Sequence, residues 1–360
     1  MTEIFYSLIS KALGIPARQV EKTMGLLDEG ATIPFISRYR KEVTGGLDEV
    51  QIGDINDHYG KLKEVSKRKE TILASIDEQG KLTPELKKRI EASWDSTELE
   101  DIYLPYKPKR QTKAEIARKK GLEPLATLLM LQTAQDSTKA ASPYVKGEVK
   151  DVREALQGAR DIIAEWVNED EQARNTVRNS FSRTAVISSK VVKGKEEEGS
   201  KYRDYFDFSE PLNRCSSHRL LALRRGEAEG FLRVSISPDA EGCIERLNRR
   251  FVKGRSDASA QVEEAVGDSF KRLLKPSIET EFANLSKMKA DEEAIRVFSE
   301  NLRQLLLSPP LGQKRVLGVD PGYRTGCKVV CLDAQGNLSV DNALCEGIDS
   351  AALPATAPLY

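Results

Sequence analysis

Apolar side chains recur at three- and four-residue intervals through most of residues 1–310, the spacing of one buried face of an α-helix. Asp151 to Glu169 shows it well. Val152, Ala155, Leu156, Ala159, Ile163 and Trp166 fall on one stripe, and Asp151 and Glu154 have the spacing of a capping box. Thr83-Pro84 opens a helix over Lys81 to Ser93, a capping residue followed by proline at the first helical position. Asp257 to Leu274 repeats the design with Val262, Ala265, Val266, Phe270, Leu273 and Leu274. Asp291 is expected to cap a further helix carrying Ile295, Phe298, Leu302, Leu305 and Leu306. Pro309-Pro310 ends that helix, because proline disfavours helix in the residue before it. No internal repeat of fixed period is present.

Two stretches interrupt the helical pattern. Lys190 to Lys201 (KVVKGKEEEGSK) has two glycines and dense charge of both signs, and reads as an exposed loop. Phe231 to Ser237 alternates apolar and polar residues like a short strand stopped by Pro238. At Arg315 the pattern changes. Val316, Leu317 and Val319 read as a buried strand ending at Asp320, followed by a turn through Pro321-Gly322 and Thr325-Gly326. Cys327 to Leu332 is the return strand, and a second turn contains Gly336. The expected architecture is mainly α: a multi-helix region over 1–310, the β-hairpin start of an α/β domain over 315–338, and a weakly patterned tail over 339–360. The tail is expected to be loosely packed and open to proteases.

The length of 360 residues suits two or three domains at roughly 150 residues each. Lys+Arg and Asp+Glu are both 56, so the formal net charge is zero, which excludes a globally basic binder but not a local basic patch. No apolar stretch approaches the ~18 residues of a membrane span, and the start MTEIFYSLIS has no signal-peptide pattern. Cys215, Cys243, Cys327, Cys331 and Cys345 form no CxxC pair and are expected to be reduced thiols in the cytoplasm. The two histidines, His58 and His218, leave little for a metal site or a catalytic triad.

Three segments could carry chemistry. Asp320, at a strand end followed by glycines, suits a divalent ion and a phosphate, as in RNase H-type nucleases and actin-like ATPases. Two-metal phosphodiester chemistry needs several converging carboxylates, and Asp333, Asp341, Glu346 and Asp349 sit in turns or the tail. Asp320 therefore reads as structural or vestigial, with no metal and no cofactor expected. An actin-like ATPase would further need an adenine-binding half. The second segment is the run Lys107 to Lys120. It has seven basic residues (Lys107, Lys109, Arg110, Lys113, Arg118, Lys119, Lys120) against one acid, Glu115, the footprint of phosphate contacts or of a solvated helix face. The third spans Glu245 to Arg255, where Arg246, Arg249, Arg250 and Lys253 fall on one side of a helix and Ile244, Leu247 and Phe251 on another. Its plainer reading is an arginine-rich solvent face. Arg214, Arg219, Arg224 and Arg225 around His218 are similar, with the histidine packed or hydrogen-bonded.

Four strings carry a family resemblance: ATIPFISRYRKEVTGGLDE from Ala31, YLPYKPKRQTKAEIARKKGLEPLA from Tyr103, KYRDYFDFSEPLNRCSSHRLLALRRGEAEGFL from Lys201 and LGVDPGYRTGCKVVCLDAQGNL from Leu317. Together they resemble the bacterial transcription accessory protein family, Tex. The resemblance implies an N-terminal helical region with helix-turn-helix character and a following RNase H-like domain of the YqgF type that lacks a complete nuclease site. In full-length members, helix-hairpin-helix elements and an OB-fold RNA-binding domain come next. It further implies sequence-nonspecific binding of RNA or DNA, work beside the transcription machinery, and kinship with eukaryotic elongation factors. The likeness is expected to stop at Leu338, as though the reading frame were truncated. Two rival readings stand beside it: a protein-interaction scaffold docking transcription or translation machinery, and an RNase H-like nuclease with Asp320 as metal ligand.

Overall fold

A computed structural model describes residues 2–108, 111–309, 312–322 and 326–342. Its contacts divide the chain into two units, Met1–Lys289 and Ala290–Tyr360. Among the described residues, no helix is long and apolar enough to cross a membrane.

The first unit begins with α1 (Thr2–Leu13), α2 (Ala17–Asp28), α3 (Ile33–Tyr39), α4 (Lys41–Thr44) and the long α5 (Glu49–Glu78). Asp48 caps α5 in a reciprocal box: its carboxylate accepts from the Gln51 N–H at 2.8 Å, and Gln51 Oε1 accepts from the Asp48 N–H at 3.1 Å. The helix serves two clusters. Ile52, Ile55 and Tyr59 pack with Phe5, Ile9, Val20, Met24 and Ile36. Further along, Ile72 and Ile76 pack with Ile90 of α6 (Pro84–Ala92) and with Leu99, Ile102 and Tyr103 of α7 (Ser96–Tyr103). Thr83 caps α6 by accepting from the Leu86 N–H, with Pro84 at its first position as expected.

The middle of the chain continues with α8 (Lys113–Lys119), α9 (Glu123–Leu131), α10 (Ser137–Ala141), α11 (Val152–Glu169) and α12 (Glu171–Thr184). Asp151 caps α11 at 2.7 Å, but Glu154 reaches the Lys150 N–H at 3.0 Å rather than that of Asp151. Asp161 through Glu165 are buried in succession, so α11 is enclosed on all sides there. Its approach to the preceding hairpin requires Gly158, where an added Cβ would lie 2.3 Å from Leu122 Cδ1.

Three strands follow with two helices among them: β1 (Val186–Val191), β2 (Asp207–Pro211), α13 (Ser217–Ala228), β3 (Leu232–Ser237) and α14 (Ala240–Phe251). β1 lies between β2 and β3, antiparallel to both, with Ser188 opposite Ser209 and Ser235. The expected strand at Phe231 to Ser237 is present. The expected loop over Lys190 to Lys201 is shorter, because Lys190 and Val191 complete β1 and Ser200 starts a 3₁₀ turn.

α15 (Asp257–Ser269) is capped by Ser256 rather than Asp257, and the π-turn Phe270–Leu274 joins it to α16 (Lys275–Leu306). The widened turn ends two residues before Pro276, which lacks the N–H that the regular ladder needs. Asp291 does not begin a helix: it lies inside α16, which runs unbroken for 32 residues. Between Pro276 and Ser308 there is no glycine or proline to end one helix before the next. Ile295, Phe298, Leu302, Leu305 and Leu306 are exposed, and Ala290 is the last core position along this helix.

In the second unit, β4 (Val316–Gly322), β5 (Gly326–Leu332) and β6 (Leu338–Asn342) form an antiparallel sheet in that order. Val319 pairs with Val329 and Asp320 with Lys328, and the β5–β6 register shifts between Cys331 and Leu332. The turn before β6 is built by Asp333, whose carboxylate accepts from the N–H groups of Gln335 at 2.9 Å and Asn337 at 2.8 Å. A further bond from Asn337 Nδ2 at 3.0 Å contributes most, and these backbone bonds add to it, in holding the Asp333 pKa below the ordinary carboxylate value. The hairpin expected from Arg315 is therefore present, but its first strand is not buried, since Leu317 and Val319 are 62% and 54% exposed, and it runs past Asp320 to Gly322; the segment expected to be unpatterned begins with a third strand. Residues 343–360 lie outside the described residues.

Buried charge holds α7, α12 and α16 together. The Asp101 carboxylate accepts from Arg174 Nε at 2.6 Å and Arg178 Nη2 at 2.9 Å, and Arg178 Nη1 bonds its other oxygen. Arg178 also donates to Glu281 at 2.8 Å. Burial weakens proton binding at Arg178, but hydrogen bonds to Asp101 and Glu281 outweigh it and raise its pKa. Asp101→Asn keeps the shape and removes the charge, leaving two guanidinium groups facing a neutral amide. Unfolding stability should fall by roughly 3 kcal/mol, read from the urea midpoint by circular dichroism. An unchanged midpoint would show that the network adds nothing.

Candidate nucleic-acid interface

Helix α8 places the first basic run. Thr112 starts it by accepting from the Glu115 N–H at 3.0 Å, and Gly121 follows its end at φ 76°. Ala114 and Ala117 are buried on the side packed against α11, which leaves Lys113 and Lys119 exposed. Lys107, in the turn before the helix, is exposed as well. Arg118 and Lys120 are placed differently. Arg118 Nη1 donates to Glu165 Oε1 at 2.6 Å, and the Glu165 side chain is only 8% exposed. Thr112 Oγ1 donates to the other Glu165 oxygen at 3.1 Å. Burial opposes the charge on Arg118, but its bond to Glu165 prevails and raises its pKa. Lys120 bonds Glu154 at 2.6 Å, a contact that raises the lysine pKa and lowers that of the glutamate. A cleft of about 160 Å³ beside the run is lined by Lys113 and Lys120 but also by Glu154 and Asp161, so its charges cancel. Lys109 and Arg110 lie outside the described residues.

Helix α14 carries the second group and packs against α12 and α15. Its buried face is Cys243 and Leu247. Arg246 donates to Ser180 Oγ at 2.8 Å, Arg249 pairs with Glu245 at 2.6 Å, and Arg250 pairs with Asp170 at 2.9 Å and also bonds Gln172. Lys253 lies beyond the helix end, where its backbone N–H donates to Gln132 Oε1 at 2.7 Å. These cations hold the chain to itself as well as facing solvent, and they lie on a different helix from the α8 lysines.

Asp320 sits on β4 opposite Lys328, and its side chain lies outside the described residues. Among the described residues no group of three or more histidine, cysteine or acidic side chains is placed to hold a metal ion. Burial, with Glu210 adding to it, pushes the Cys215 thiol up to about 11, and burial also raises Cys243. Both are the reverse of an activated nucleophile. His58 contacts the Asp54 carbonyl at 2.9 Å and His218 contacts Ser216 Oγ at 3.5 Å. Among its neighbouring arginines, Arg219 pairs with Glu210 at 3.0 Å and Arg224 with Glu227 at 2.6 Å.

One exposed group was not singled out from the sequence. Phe35 and Tyr39 on α3 are 40% and 64% exposed, next to Arg38, Arg40 and Lys41. The signal for them was an aromatic pair four residues apart beside basic residues, hidden because aromatic residues at helical spacing usually read as core.

A long helical region leading into antiparallel strands of an RNase H-like start defines the class of protein. Three family models match in series: the Tex-like protein N-terminal domain over residues 3–77, the Tex central region over 132–298 and the Tex protein YqgF-like domain over 314–349. The chain belongs to the Tex family. The last match passes Leu338, where the likeness was expected to end. The YdcI protein of Bacillus subtilis is 42% identical over 92% of this chain and 47% of its own length. The transcriptional accessory protein Tex of Neisseria gonorrhoeae is 42% identical over 92% of this chain and 44% of its own. The human S1 RNA-binding domain-containing protein 1 is 32% identical over 85% of this chain and 32% of its own. The chain thus spans a little under half the length of these bacterial relatives.

The two kinds of cation on α8 should separate in a stability measurement. Arg118→Ala leaves Glu165 buried without its guanidinium and should lower stability by about 2 kcal/mol. Lys119→Ala, at an exposed position, should change it by less than about 0.5 kcal/mol. Equal effects in urea titrations of the two variants would refute the division.

Proposed function

We propose that this chain binds RNA or DNA without sequence preference, as a non-catalytic part of a transcription accessory protein working beside the transcription machinery in the cytoplasm. Kinship carries the reading: one relative is named a transcriptional accessory protein and another an S1 RNA-binding domain-containing protein, and each is matched along most of this chain. The short N-terminal helices would supply helix-turn-helix character. Lys107, Lys113 and Lys119 supply the physical support, as exposed, hydrated point charges able to meet phosphates without reading bases. Affinity from so few contacts is weak, on the order of 10⁻⁴ to 10⁻⁶ M at physiological salt. Catalysis is left out of the reading because two-metal phosphodiester chemistry needs several carboxylates around Asp320.

Replacing Lys107, Lys113 and Lys119 together by glutamine should reduce the slope of log K against log salt by about three units, one per lost phosphate contact. The measurement is a fluorescence anisotropy titration at several salt concentrations, with circular dichroism to check the fold. An unchanged slope would make these lysines a solvated surface and favour the protein scaffold.

Incubation with Mg²⁺ or Mn²⁺ should cleave neither single-stranded nor duplex substrate. Metal-dependent cleavage that disappears in Asp320→Asn would make the chain a nuclease.

A further inference from the structure

Ile36 is fully buried among Ile52, Ile55 and Met24, and Ser37 beside it is buried too. With these two inside, the turn positions Phe35 and Tyr39 outside, four residues apart on one helix face. Their ring centroids are 5.5 Å apart with the planes tilted by 42°. The Arg40 guanidinium lies 5.2 Å from the Phe35 centroid and is held there by a bond from Nη1 to the Tyr39 carbonyl at 3.2 Å. The chain that follows is tied back to α2. Thr44 is buried, and Gln19 Nε2 donates to the Gly45 carbonyl at 3.1 Å, with Gly45 in the left-handed conformation at φ 71°. Exposing two aromatic rings on a fixed turn forgoes the burial that drives folding, and such patches mark interaction sites.

The charge around the rings selects the partner. From Ile33 to Thr44 the chain has Arg38, Arg40 and Lys41 against a single acid, Glu42, and all four are exposed. An exposed aromatic face such as that of Tyr39, bordered by guanidinium and ammonium groups, complements a base joined to a phosphate. We infer that Phe35 and Tyr39 form a stacking platform for an unpaired base of single-stranded RNA or DNA, with Arg38 and Lys41 reaching the adjoining phosphates. Inside a duplex the base faces are stacked on each other and none is open to Tyr39, so the platform distinguishes strand state and not sequence. This inference rests on the nucleic-acid-binding reading above and adds the strand state and the residues.

The test uses the whole chain and fluorescein-labelled RNA, a twelve-nucleotide single strand or a long duplex in which interior pairs far outnumber the two ends, in anisotropy titrations at low salt. Phe35→Ala with Tyr39→Ala should weaken single-strand binding by about tenfold to a hundredfold and leave duplex binding within about twofold. Tyr39→Phe keeps the π-face and should bind like the parent. Tyr39→Leu keeps apolar area without a π-face and should lose affinity; circular dichroism and melting temperature control for the fold. Undiminished single-strand binding by the double alanine variant, with the parent binding, would overturn the platform alone. Full binding by Tyr39→Leu would overturn it too and make the patch an apolar protein contact. Equal loss on both strand states would also refute it. A parent chain that binds no nucleic acid would overturn this inference together with the reading it rests on.

Discussion

Asp101 is 5% exposed and receives guanidinium groups from Arg174 and Arg178, which come from a helix more than seventy residues away in sequence. A lone carboxylate at that depth would be strongly disfavoured, so α7 can occupy its place only when α12 brings those arginines to it. Arg178 in turn bonds Glu281 on α16, and Phe181 and Phe282 meet at 5.2 Å between the same two helices. α5 and α7 share one apolar cluster, and this polar anchor sets that cluster against the middle of the chain. The orientation of the N-terminal helices therefore depends on it.

The same preference divides the cations. Arginine dominates the enclosed positions: Arg118 meets Glu165, Arg272 meets Asp161 at 3.2 Å, and Arg160 meets Glu264 at 2.7 Å with Gln261 beside it. Its planar fork satisfies a carboxylate with little water, whereas an ammonium gives up more hydration on burial. Burial raises the pKa of Asp161, an effect Arg272 and Lys113 only partly offset. Lys113 and Lys119 stay in water. A chain whose formal charge sums to zero can still present local phosphate-binding groups, and Asp101, Asp161 and Glu165 are buried beside arginine.

Capped helices were legible where a cap coincided with a break in the preceding element, as at Thr83-Pro84 and Asp151. Asp291 failed that condition. It resembles a cap in isolation, but Lys289, Ala290, Glu292 and Glu293 around it favour helix, so no terminus forms for it to cap. β1 was illegible for a different reason. Its inward position Ser189 is polar, satisfied by donating to the Tyr205 carbonyl at 2.6 Å, so the alternation that betrays a strand is absent. β2 ends in proline at the sheet edge and carries equally little pattern. Among the candidate site residues, the run at Lys107 to Lys120 was visible as charge density. Which of its members pair internally was not, because Glu165 and Glu154 lie tens of residues away and their approach to Arg118 and Lys120 follows from how α8 seats on α11. Phe35 and Tyr39 were invisible in the opposite sense, being residue types that a pattern assigns to the core.

The exposed contact groups sit on separate helices of the first unit: the aromatic pair on α3, lysines on α8 and arginines on α14. Each alone is worth little in salt, since an exposed charge is screened within about 8 Å at physiological ionic strength. A flexible polyanion gains by touching several such points, because each contact raises the effective concentration of the next. A rigid duplex can use only those points that lie along one groove or backbone path. A surface of dispersed weak contacts on a folded scaffold thus suits a strand that bends to it. On the proposed reading, sequence indifference would follow from the same arrangement in a chain with no formal net charge: selectivity would come from the flexibility of the ligand, while the packed helices keep the contact points in place.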